Sequence, residues 1–134
     1  MAAASGKLVR AYYDCFNAGD WAGMLALLAD DVAHDINQGG REIGREAFAR
    51  FLERMAGSYR EEVSELIILT EASGRRAAVE YLVSGTYLKT DEGLPPARGQ
   101  SYRIAGGAFF DIAKGRIARI ANYYNLQEWL RQIA

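Results

Sequence analysis

The chain is poor in the residues that build covalent or metal-stapled folds. It has one cysteine, Cys15, one histidine, His34, and two prolines among 134 residues. A single thiol excludes an intramolecular disulfide, and without CxxC pairs or His/Cys clusters there is no zinc motif. Charge of one sign is lacking too. Sixteen basic residues face seventeen acidic ones, for a net charge of −1 with no Lys/Arg run. That balance excludes the electrostatic footprint of nucleic-acid or anionic-membrane binding. Long apolar runs are missing as well. LIIL at 66–69 is far short of a membrane span, and the start MAAASGKLVRAYYDCF lacks the apolar core of a signal peptide. The expectation is a cytoplasmic protein in a reducing compartment. No repeat or low-complexity tract is visible.

What is present suits a single domain over 1–134, since half of the residues are hydrophobic and a quarter charged. Leu8, Tyr12 and Phe16 recur at helical spacing, Gly19 stops that helix, and Asp20 opens a second with Trp21, Met24, Leu25 and Leu28 on one face. After Asp30-Asp31, VAHDIN alternates as a strand and Gly39-Gly40 ends it. A third helix follows Gly44, with Phe48, Phe51, Leu52 and Met55 as its stripe. EEVSELIILTEA, RRAAVEYLVSGTYLKT, QSYRIAGGAFFDIA and GRIARIANYYN then read as four strands, joined by Ser73-Gly74, the loop DEGLPPARG and Lys114-Gly115. Leu126, Trp129, Leu130 and Ile133 close the chain as a short helix. The predicted class is α+β: a curved antiparallel sheet wrapped around the N-terminal helices, with a pocket between the layers.

YYDCFNAGDWAGMLALLADDV at 12–32, REIGREAFARFL at 41–52 and FFDIAKGRIARIANYYN at 109–125 resemble the nuclear transport factor 2-like superfamily. Within it they resemble the SnoaL-like polyketide cyclases and the relatives of steroid delta-isomerase. The resemblance runs from about Leu8 to the end and implies the cone-shaped fold of that superfamily. It places the oxyanion-hole tyrosine of the steroid isomerases on Tyr12. It places their catalytic carboxylate on Ile36 and their protonated aspartic acid on or beside Ala108, where this chain has no acid. The resemblance therefore does not imply steroid isomerisation, although ketosteroid isomerase shows what those roles require. Scytalone dehydratase, of the same superfamily, does place histidine chemistry in such a cavity.

His34 and Asp35 are neighbours, so in a strand they face opposite ways and cannot form a dyad. His34 shares its face with Val32 and Ile36 and is expected to enter the pocket. Asp35 is expected outside. An imidazole titrates near neutrality, so the candidate catalytic pair is His34 as base and Tyr12 as oxyanion donor. Tyr102 and Tyr123 are candidate polar contacts, and Ile36, Ala108, Phe110, Phe51 and Met55 candidate wall residues around a small apolar ligand. No cofactor or metal is expected. The other reading of His34 is a hydrogen-bonded core residue. Gly106-Gly107 either gives a ligand room against bare backbone or lets a neighbour pack close. Cys15 reads as a packed hydrophobe, Asp30-Asp31 as a solvated turn, and Asn125 as a helix cap. Two functions follow: a cofactor-free isomerase, dehydratase or cyclase acting on a ketonic or hydroxylated ligand, or a non-catalytic binding module. Either is expected to form a homodimer through the outer sheet face, where Phe109 and Leu88 fall.

Overall fold

The computed structural model describes residues 1–134. α1 (Ala2–Ala18) begins earlier than the periodicity suggested and buries Val9, Tyr12 and Tyr13. Gly19 ends it in the left-handed conformation (φ 69°), with the N–H groups of Gly19 and Asp20 returning to the Phe16 and Cys15 carbonyls. The Asp20 carboxylate accepts the Gly23 N–H at 2.9 Å and so caps α2 (Trp21–Ala26). The chain then extends as β1 (Leu28–Asp35), turns through Gly39-Gly40 and returns as the short β2 (Arg41–Ile43). α3 (Arg45–Ser58) carries Phe48 and Leu52 inward. Next come β3 (Tyr59–Thr70), β4 (Arg76–Tyr87), β5 (Ser101–Ala113), β6 (Arg116–Tyr124) and α4 (Leu126–Ile133). Asn125 caps α4 by accepting the Glu128 N–H.

The α+β class stands, but the wholly antiparallel sheet wrapped around the helices does not form. The six strands lie in the open order β2-β1-β6-β5-β4-β3, so β2 and β3 are free edges and the sheet does not curl closed. The sheet is also mixed, because β1 and β6 run parallel, with His34 opposite Ile120. The cause is the route of the chain. After the β1–β2 hairpin, α3 carries it to the far edge, and the meander from β3 to β6 brings it back beside β1 travelling in the same direction. The alternation in the sequence specified strands without specifying this return.

α1 packs on β3 and β4, α3 on β1, and α4 on β5. A 17-residue core, including Met24, Leu28, Val32, Phe110, Ile117 and Ile120, fills the layer between. Leu28, assigned by spacing to the second helix, belongs to β1 but is still fully buried. One bulge decides which β3 side chains face inward. The register slips between Ser64 and Ile67, where Glu65 has φ 51°. Tyr59, Glu61 and Val63 therefore face the helices before the slip, and Leu66 and Ile68 after it.

Candidate functional site

Between the helices and the inner sheet face lies a cavity of about 280 Å³, and 19 of its 26 lining residues are hydrophobic. A wall so apolar makes the few polar groups in it decisive. His34 is one of them. β1 turns it inward, as strand alternation required, and leaves it 2% exposed. Its ring meets Phe48 and Phe51 edge-on at 4.8 and 4.6 Å between centroids. Asn122 Nδ2 lies 3.5 Å from Nε2, at the limit of a hydrogen bond, and Nδ1 is buried without a partner. With the amide donating, Nε2 accepts and Nδ1 carries the hydrogen, so Nε2 is the basic nitrogen of the ring. Burial holds the pKa below its ordinary value against the opposing pull of Glu42 and Asp35, so the ring is neutral near pH 7.

Tyr12 reaches the same cavity from α1, edge-on to Tyr13 and Phe110 at 5.0 and 5.6 Å. Burial, with Tyr81 nearby, pushes its phenol well above the usual range, so it remains a donor. The Tyr13 hydroxyl beside it is buried without a partner. Ile36, Phe51, Met55 and Tyr102 also line the cavity. Three other expected residues do not. Ala108 and Phe110 lie beneath the wall in the core, and Tyr123 is 54% exposed on the opposite face, stacked edge-on against Phe109. Tyr124 takes the inward place instead. The β6 register explains the exchange: Ile120, Asn122 and Tyr124 share the inner face, so Tyr123 must leave it.

Asp35 faces outward, as its neighbour's burial demands. It accepts Arg41 at 2.5 Å and Arg119 at 3.0 Å, and these guanidinium groups pull its carboxyl down to about 2. Arg119 and Arg76 continue the chain of charges to Asp111. Gly106 lets a neighbour pack close, since a Cβ there would lie 2.9 Å from the Tyr81 ring, and its bare backbone also lines the cavity. Asp30 is exposed and pairs with Arg45. Burial and the nearby Asp20 and Asp14 raise the Cys15 thiol, which leaves it a poor nucleophile.

The sequence reading missed Glu61. Its carboxylate lines the cavity and accepts the Tyr102 hydroxyl at 2.5 Å. Burial raises its pKa, only partly offset by that hydrogen bond. The signal was the alternation Tyr59, Glu61, Val63, with an acid at the middle of an otherwise apolar inward set. At the same end, Tyr59 donates to Asp91 at 2.9 Å, and Asp91 and Leu94 bring the loop after β4 onto the cavity.

The profile of the SnoaL-like domain matches residues 9–120. The chain belongs to the SnoaL-like family. This SnoaL-like chain is 56% identical to a candidate polyketide cyclase of Xanthomonas campestris pv. campestris over 99% of its own length and 98% of the other, with a TM-score of 0.97. A candidate polyketide cyclase of Pseudomonas putida KT2440 is 52% identical, covering 97% and 98% of the two chains at a TM-score of 0.96. An NTF2-like protein of Burkholderia xenovorans LB400, 16% identical, shares the fold across 100% and 98% of the chains at a TM-score of 0.78. No curated protein matches. No helix of this SnoaL-like chain is long and apolar enough to cross a membrane.

Proposed function

We propose that this chain acts as a single domain that binds a small apolar ketonic or hydroxylated molecule in the cavity and moves a proton on it without a cofactor. The carrying observation is His34: a neutral imidazole in an apolar cavity, with Nε2 held only by a 3.5 Å contact to Asn122. In this reading Nε2 removes a proton next to a ligand carbonyl. Tyr12, kept protonated, donates to the oxygen on which charge then develops. The reaction is isomerisation, dehydration or an aldol-type cyclisation. Kinship at 56% and 52% identity to candidate polyketide cyclases supports the ring-closing version. Fold alone does not choose among them.

His34→Ala and Tyr12→Phe, assayed on a substrate that the natural protein turns over, test the assignment. Loss of kcat in both supports it, and unchanged turnover in His34→Ala overturns it.

The exposed Phe109, Tyr123, Ile67 and Leu69 on the outer sheet face favour a second element of the reading, a homodimer formed through that face. Phe109→Arg then converts a dimer to a monomer in sedimentation velocity. A monomeric natural protein refutes it.

A further inference from the structure

Glu61, Gly85 and Tyr102 occupy one row across three strands: Glu61 is opposite Gly85 on β4, and Gly85 is opposite Tyr102 on β5. The glycine is what lets the outer two meet. A Cβ at position 85 would lie 2.4 Å from Tyr102 Cζ and 2.5 Å from its hydroxyl oxygen, so the phenol lies flat over bare backbone to reach the carboxylate. Trp129 packs edge-on against the Tyr102 ring at 5.8 Å and keeps it there. Tyr102 donates to Oε2 of Glu61, and no Arg or Lys neutralises the carboxylate. An unpaired carboxylate on an apolar wall is costly unless something donates to it. With Tyr102 on Oε2, the acceptor left for an occupant is Oε1.

This group is not an accessory of His34. β6, β5 and β4 stand between β1 and β3, so one ligand atom cannot meet both residues. The cavity has two polar poles.

We infer that Oε1 of Glu61, oriented by Tyr102 across Gly85, anchors a neutral hydroxyl of the ligand at the end of the cavity away from His34. The ligand class is thereby narrowed to molecules that carry a phenol, enol or alcohol distal to the reacting carbon. A bare ether or ketone would present an acceptor to an acceptor, whereas a hydroxyl donates its hydrogen to Oε1. The inference rests on the cavity being the ligand site, as proposed above, and not on His34 acting as a base.

Calorimetric titration of the whole protein with 2-naphthol and 2-methoxynaphthalene tests it. These probes differ in one hydroxyl hydrogen and one methyl group. The natural protein is expected to favour 2-naphthol by about tenfold, the scale of one charge-assisted hydrogen bond. Glu61→Gln changes the free acceptor to an amide donor, because Tyr102 still donates to the side-chain oxygen. The preference then disappears or reverses. His34→Gln keeps it, which separates this inference from the fate of the proton-transfer reading. Equal affinity for the two probes in the natural protein, binding by neither, an undiminished preference in Glu61→Gln, or its loss in His34→Gln overturns the inference.

Discussion

Acid should weaken this protein through His34, and a single histidine makes the effect measurable. An unfolded histidine takes up its proton near 6.5, whereas burial lowers that value in the native state. Above 6.5 both states are neutral there and the residue adds no pH dependence. Below 6.5 the unfolded chain binds the proton and the native chain does not, so stability falls with pH until the native value is reached. One proton limits the slope to about 1.4 kcal/mol per pH unit. Since only the lower half of the interval lies below the unfolded value, going from about pH 7.5 to about pH 5.5 costs about 1.4 kcal/mol at most. Glu61 works in the opposite sense. Its native pKa is raised above 4.5, so its contribution is lost as pH rises from that value. The difference between the natural protein and His34→Gln therefore isolates the histidine. Urea unfolding followed by circular dichroism at both pH values gives the two slopes, and the ring proton signal of the one histidine gives its titration directly. Parallel slopes in the two proteins, or a native titration at or above 6.5, would refute the account of a desolvated neutral imidazole.

Three further outcomes are expected. Gly85→Ala places a methyl group inside the Tyr102 ring, which must then leave Glu61 and shift against Trp129, so denaturant unfolding should show a loss of about 1–3 kcal/mol; natural stability would mean that the phenol does not lie over that glycine. Phe110→Ala removes a fully buried ring that meets Tyr12 and Tyr13 edge-on, for a loss of about 3–5 kcal/mol, measured in the same way and contradicted by a change below about 1 kcal/mol. Asp35→Asn breaks the links to Arg41 and Arg119 for about 1 kcal/mol near neutral pH. Because the native carboxyl is lowered from 3.8 to about 2, the natural protein should lose this advantage as pH falls through that window, and an equally steep acid decline in Asp35→Asn would count against the pairing.

Much of this was legible in local chemistry. Gly19 and Asp20 fixed a helix end and a helix start because a left-handed cap and a side-chain acceptor are needed at adjacent positions. Strand alternation alone separated His34 from Asp35, and both faces came out as expected. Three features were not legible for one shared reason, namely that each depends on a distant strand. β2 has only three residues, all exposed, so it carries no alternation and exists by pairing with β1. The parallel partnership of β1 and β6 depends on the route of the chain between them. Glu61 acquires meaning only when Gly85 and Tyr102 fall into its row.

That parallel partnership also has a consequence in time. A chain emerging from the ribosome makes β1 early and β6 near the end, and until β6 arrives β1 has beside it only the three-residue β2. Local hairpins such as β3–β4 can form during synthesis, while the His34 wall waits for closure of the loop from His34 to Ile120, about two thirds of the chain. Any product cut short before Arg116 leaves the β1 edge bare, with unpaired backbone groups open to another chain. The candidate site is thus among the last parts of the molecule to come into being, and a truncated copy is more apt to aggregate than to work at reduced rate.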